Sequence, residues 1–278
     1  GAAPYRKGQV LHSVFAAANS FPEKLMKLIN ILSAISLACI TSQVFANQSD
    51  LTLTHFKGPL YVVEDKEYVQ ENSMVYVGAQ HITVIGATWT PATAEKLEQE
   101  IRKISPLPIK EVINTNYHTD RAGGNAYWKK LGASIVSTQM TYEMKKSQWR
   151  SIVDFTRQGM EHYPVLEQSL PDQVYPGDFA LQNGHVRALY LGASHTEDGI
   201  FVYFPEERVL YGNCILKEKL GNMTFANRSE YPKTLKKLQG LISSGELPVE
   251  AIIAGHNSPI QSVELIDHYL NLLEHGEQ

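Results

Sequence analysis

The chain has no block of basic residues, and its formal net charge is −4, so the positive face that phosphate binding needs is missing and nucleic acid is excluded as a natural partner. It has no short-period repeat, no low-complexity tract and no linker that would divide it. Its longest apolar run, Leu28 to Ile40, falls short of the roughly 20 residues needed to span a bilayer. Cysteine is almost absent, with only Cys39 and Cys214 in 278 residues. What remains is an ordinary globular composition, 43% hydrophobic, enough to bury a large core.

Lys24 and Lys27 precede the apolar run, and Val44-Phe45-Ala46 closes it with a small residue. This is the pattern of a secretory leader over residues 26–46, following Met26 as a start, with periplasmic export as the expectation. Residues 1–25 show no pattern that assigns them, and residues 47–278 are expected to form one domain. A lipid attachment at Cys39 is the alternative reading. Cleavage removes Arg6, Lys7, Lys24 and Lys27 against Glu23 alone, so the mature chain is more acidic, has no stable membrane attachment and keeps Cys214 as its one thiol. A lone cysteine in an oxidising compartment cannot pair internally and is open to oxidation unless buried or metal-bound.

Leu60 to Val63, Ser73 to Val77 and His81 to Ile85 are β-branched and aromatic runs between polar turns, which predicts an antiparallel meander. At Thr90-Pro91 the period changes. Ala94, Leu97, Ile101 and Ile104 then share one helical face. A strand from Glu111, a short helix over 124–131, a strand at Ser134 to Val136 and a long helix from Tyr142 to Gln158 follow, which implies a partly parallel sheet. The second half repeats the outline. Strands at 178–181 and 186–191 flank Asn183-Gly184, and strands at 199–204 and 208–211 come next. A helix near 231–241, a strand at 249–253 and a helix over 263–273 complete the chain. Two sheets face to face with helices outside are expected.

The chemistry gathers at strand ends. The run Glu111 to Gly124 begins as a buried strand and then presents Asn116, His118 and Asp120 at two-residue spacing, on one face if the backbone stays extended. Imidazole and carboxylate suit a zinc ion, and a polar loop capping the next helix is the other reading. His195, Cys214 and His256 follow three later strands, each beside small residues that let backbones approach. Three candidate metal ligands at one edge are more informative together than any of them alone.

These residues carry a resemblance. Asn116-Tyr117-His118-Thr119-Asp120-Arg121, His195, Asn213 to Lys217 and Gly255-His256, with Val69 to Val75 and Ala87 to Pro91, resemble the metallo-β-lactamases, and closely the mono-zinc, carbapenem-specific subclass. Most of that family has His where this chain has Asn116. The resemblance implies an α/β fold, the αβ/βα sandwich of two mixed sheets with helices on the outer faces and the metal at one edge. Asn257 departs from it, since relatives often carry Asp there.

The resemblance further implies one functional zinc at Asp120, Cys214 and His256, a donor set whose thiolate favours zinc over magnesium or calcium. An amide at 116 weakens the second site formed with His118 and His195, which would bind only an inhibitory ion. His118, or Asp120, becomes the general base for water attacking a β-lactam, the small-molecule substrate of an expected monomer. Lys217 is placed for the substrate carboxylate, Asn222 for substrate orientation, and Trp89 and Thr141 for lining the pocket, with core and cap roles open for the last two. Serine chemistry finds no Ser-x-x-Lys and no Gly-x-Ser-x-Gly in the chain. A glyoxalase or lactonase of this fold would carry His where Arg121 stands, and a secreted zinc-binding protein without catalysis is the reading from another class.

Overall fold

The β-branched runs become strands because successive side chains fall on opposite faces, and here both faces are covered. The computed structural model describes residues 50–277; the leader expected over 26–46, with Cys39, and the unassigned residues 1–25 lie outside the described residues. A seven-stranded sheet runs in the order β1 (Leu51–Lys57), β2 (Leu60–Asp65), β3 (Glu71–Val77), β4 (Ile82–Ile85), β5 (Ile109–Ile113), β6 (Ser134–Thr138) and β7 (Gln173–Tyr175). The meander β1 to β4 is antiparallel, and β4 to β7 pair in parallel.

The second sheet is built from β8 (Phe179–Leu181), β9 (Val186–Leu189), β10 (Phe201–Phe204), β11 (Val209–Asn213), β12 (Ala251–Ala254) and β13 (Ile260–Gln261). Its strands pair antiparallel except β11 with β12. Between the sheets, Val62, Met74, Ile85 and Val136 pack against Val202, Phe204, Tyr211 and Ile253. The outer face of the first sheet is closed by α1 (Pro91–Ile104), through Ala94, Leu97 and Ile101, and by Trp128 of the short helix α3 (Asn125–Lys130). The outer face of the second is closed by α5 (Tyr231–Ser243) and α6 (Leu265–His275), through Leu235, Leu238, Ile266 and Tyr269. Helix, sheet, sheet, helix is the αβ/βα sandwich the sequence implied. No helix among the described residues is long and apolar enough to cross a membrane.

Helix α1 starts where Thr90-Pro91 predicted, with Thr90 and Thr93 exchanging side-chain and backbone hydrogen bonds in a capping box. Three strands go beyond the sequence expectation, β1, β7 and β13, all short or half-exposed edge pieces. One expectation is corrected. The strand entering the 116–120 motif stops at Ile113, and Asp120 lies on a helical turn, α2 (Thr119–Ala122), instead of on extended chain. Asn116 Oδ1 accepts the amide of His118 at 2.9 Å, offering the backbone a turn in place of a ladder.

Trp128 is fully buried and its Nε1 donates to Ala87 O at 3.1 Å, joining α3 to the end of the meander. Trp128→Ala is expected to cost about 3–5 kcal/mol of stability through the cavity it leaves, read as a lower denaturant midpoint in chemical unfolding.

Candidate metal centre

Strand register brings two of the donors together. Because β11 and β12 are parallel neighbours with Asn213 opposite Ala254, the residues leaving the same edge are Cys214 on one strand and Gly255-His256 on the other. Asn213 sits at φ 53°, where its Nδ2 donates to Thr115 O at 2.9 Å and Ile200 O at 3.1 Å, and its Oδ1 accepts Cys214 N at 2.7 Å. Glycine is required next to His256, since a Cβ at Gly255 would lie 2.0 Å from Asn213 O. Gly123 meets the same demand behind α2, with Trp89 O 1.8 Å from where its Cβ would be.

Asp120, Cys214 and His256 place one donor atom each within 4.8 Å of one another. Asp120 Oδ2 stands 3.2 Å from both Cys214 Sγ and His256 Nε2. Gln70 O holds His256 Nδ1 at 2.7 Å, an arrangement in which Nδ1 carries the proton and Nε2 faces the other donors. Beneath them lies Arg121, with no exposed surface. It donates through Nε to Cys214 Sγ at 3.2 Å, through Nη2 to Gly255 O at 2.8 Å and through Nη1 to Asn72 O at 2.9 Å, and it is paired with the equally buried Glu71.

Charge follows from this geometry. Burial opposes ionisation of Asp120, yet Arg121 and His256 hold its carboxyl well below the usual carboxylate range. Burial would depress His256, but Asp120 and Cys214 outweigh it and raise the imidazole to about 9. His118 shows the reverse balance, with burial lowering it to about 4 against the pull of Asp120. Its Nε2 is buried and has no hydrogen-bond partner among the described residues, while its ring meets His195 edge-to-face at 5.7 Å.

A cleft of about 550 Å³ opens over these groups, and His118, Asp120, His195, Lys217, Asn222 and His256 all line it. Cys214 is buried and does not line the cleft, but its Sγ stands 3.2 Å from Asp120 Oδ2, which does. Lys217 Nζ donates to Cys214 O at 2.8 Å and stands 3.4 Å from His195 Nδ1, with burial lowering it to about 8. Asn222 is exposed at the mouth, its Oδ1 accepting Thr224 N at 2.8 Å. Trp89 serves wall and core together: it lines the cleft while its Nε1 is tied to Val69 O at 3.0 Å. Asn257, at φ 64°, gives its carbonyl to Gln70 and Asn72, and its Oδ1 accepts Lys219 N.

Two sequence expectations change. Thr141 is fully buried in the first turn of α4 (Gln139–Gly159), where the N-cap Thr138 accepts its amide through Oγ1, and it does not line the cleft. Asn116 is buried with its side-chain oxygen committed to the His118 amide. Sequence reasoning missed Arg121 as the support of the donor set, Gln70 as the orienting carbonyl of His256, and the aromatic wall of Phe155 and Phe225, whose rings meet at 4.9 Å. An arginine embedded in a run of buried ligand residues was the available signal for the first.

A family model described as the metallo-beta-lactamase superfamily matches residues 68–256. The chain is 28% identical over 212 residues to the metallo-beta-lactamase IND-1 of Chryseobacterium indologenes, a span of 75% of this chain and 80% of that protein. Its fold is similar to that of DIM-1 metallo-beta-lactamase, with a TM-score of 0.68 at 20% identity over 82% of this chain and 99% of the other. A metallo-beta-lactamase from Pontibacter korlensis gives a TM-score of 0.68 at 21% identity, covering 81% of this chain and 99% of that one.

In the metal-free protein, two histidines should titrate in opposite directions from the usual value near 6.5. His256 is raised, so the stability it contributes with Asp120 is complete below about pH 6.5 and is lost as pH rises through about 9. His118 is lowered, so its contribution is present above about pH 6.5 and is lost as pH falls through about 4. Imidazole chemical shifts followed by NMR across pH 4–10 check both; two midpoints near 6.5 would contradict the geometry.

Proposed function

The chain belongs to the metallo-beta-lactamase superfamily and is a hydrolase of that kind, and from this premise we propose that it opens the ring of carbapenems with one functional zinc held by Asp120, Cys214 and His256. The observation that carries the reading is the donor trio under the cleft, with an unbonded His118 Nε2 beside it. The residues fit the ion. One carboxylate, one sulfur and one imidazole within 4.8 Å are a zinc-like set, the sulfur disfavours magnesium and calcium, and Gln70 already fixes the imidazole tautomer that leaves Nε2 available.

Zinc bound there supplies the Lewis acidity that favours the anion left on the lactam nitrogen as the ring opens. The remaining work belongs to the chain. His118, neutral at pH 7 because burial keeps it so, accepts at Nε2 the proton of the attacking water. Asp120 is the alternative base: it meets Cys214, His256 and Arg121 through Oδ2, which leaves Oδ1 for the water. Lys217 offers its ammonium to the substrate carboxylate, held in place by Cys214 O and by the face of Tyr269, 5.2 Å from Nζ. Asn222 at the mouth and the Trp89 side of the wall orient the rest of the substrate.

Stoichiometry and selectivity rest on Asn116. An amide is a weak zinc ligand, and this one already accepts the His118 amide, so a second ion would find only His118 and His195 and would take the base away from catalysis. With the leader over 26–46 removed, residues 47–278 would act as a monomer in the periplasm and confer carbapenem resistance.

Metal stoichiometry measured beside carbapenem hydrolysis, followed by absorbance, tests the proposal directly; an intact ring after prolonged incubation refutes it. Cys214→Ser is expected to lose most zinc affinity and activity, by at least about 10-fold as when a metal site loses support, and a variant holding one zinc at wild-type affinity would refute the donor set. Zinc titrated into the one-metal enzyme should slow turnover; a rising rate would overturn the single-ion reading.

A further inference from the structure

We propose that Glu277 is a specificity-determining residue, whose negative charge at the cleft mouth selects against substrates with a second anionic group; the inference rests on the β-lactam hydrolase reading. The loop from Lys217 to Asn222 leaves the Cys214 turn and brings both substrate-facing side chains to the cleft, but it pairs with no strand. Its backbone is held by α6 and the residues after it. His268 Nε2 meets Glu218 O at 2.7 Å, Tyr269 Oη donates to Leu220 O at 2.8 Å, and Glu277 Oε1 accepts Leu220 N at 2.7 Å. Tyr269 and Glu277 therefore grip the two sides of one peptide residue. The same Tyr269 ring supports the Lys217 ammonium. Gly221, at φ 68°, bends the loop so closely over Lys217 that a Cβ there would stand 3.0 Å from Lys217 Cε.

Glu277 thus lines the cleft into which Lys217 and Asn222 project. Holding Leu220 requires only an acceptor, and a neutral amide oxygen would do as well. The charge is surplus to that task. A β-lactam brings one carboxylate, which Lys217 satisfies, and a further anionic substituent near the mouth meets Glu277, whereas a cationic substituent is drawn to it. Fixed charge on a cleft wall acts on encounter and on partner choice in this way.

The experiment compares wild type, Glu277→Gln and Glu277→Ala as zinc-loaded enzymes, on a carbapenem with a protonated side-chain amine and a carbapenem with a second side-chain carboxylate. Glu277→Gln keeps the acceptor for Leu220 and removes the charge. It is expected to raise kcat/KM for the dicarboxylate by about threefold and lower it for the amine by a similar factor, with both differences shrinking at about 0.5 M salt because exposed charges are screened. Glu277→Ala should add a loss common to both substrates, since Leu220 N is released. Equal changes on the two substrates in Glu277→Gln, or none, overturn the inference. If wild type turns over neither compound, the hydrolase reading has failed separately, and the charge inference is then decided by calorimetric Kd values of the same two compounds with wild type and Glu277→Gln, where the same opposite shifts support it and their absence overturns it.

Discussion

A fully buried guanidinium sets the terms for this molecule. Taking a cation out of water costs several kcal/mol unless partners surround it, and Arg121 has them on every side: Glu71, the carbonyls of Asn72 and Gly255, Cys214 Sγ, Asp120 Oδ2 and the ring of Tyr211 at 5.9 Å. Apart from Asp120, its neighbour on α2, those partners come from β3 of one sheet and from the edge of β11 and β12 in the other. The arginine therefore joins the two halves of the sandwich at the point where the donors emerge, and it supplies the positive counterpart that lets a carboxylate and a sulfur stand 3.2 Å apart.

The rest of the centre is a matter of tethering. Gln70 turns His256, Asn213 turns Cys214, and Asn116 turns His118, each by a side chain or carbonyl bonding to its neighbour. Close-packed glycines at 123 and 255 let three backbones approach within a single van der Waals contact. The cleft above combines this polar floor with an apolar wall of Phe155, Phe225 and Trp89, the usual division of labour in a small-molecule site, where apolar surface supplies burial and a few polar groups supply orientation.

The layered fold and the donors were legible in the sequence because each relies on a local signal. The capping residues Thr90 and Thr93, the period change after Pro91, and the small residues flanking His195, Cys214 and His256 all carry their meaning within a few positions. The subclass reading through Asn116 came from resemblance, since an asparagine alone says little. What stayed hidden depends on distant contacts. An arginine ordinarily belongs on a surface, and its place among the ligand residues hints that Arg121 is interior without saying which distant groups, Glu71, Asn72, Cys214 and Gly255, surround it. The helical turn at 119–122 replaced an expected strand because a single side-chain bond from Asn116 diverted the backbone. Thr141 was open to pocket, core and cap roles, and the structure buries it in the first turn of α4 with its amide donated to the N-cap Thr138. Strand β1 alternates only over Leu51 to Thr54 and loses the pattern at His55-Phe56, where its register with β2 shifts, so the run was too short to stand out.

The parallel pairing of β11 with β12 has a temporal consequence. It joins segments some forty residues apart, and the third donor, Asp120, lies nearly a hundred residues upstream of Cys214. Contacts of such long sequence separation form late, because loop closure must be completed before they return any stabilisation. A nascent chain thus exposes its thiol, its carboxylate and its imidazole as strangers to one another. The three meet only once both sheets have closed on each other, so the cage is a property of the assembled sandwich and of no single segment.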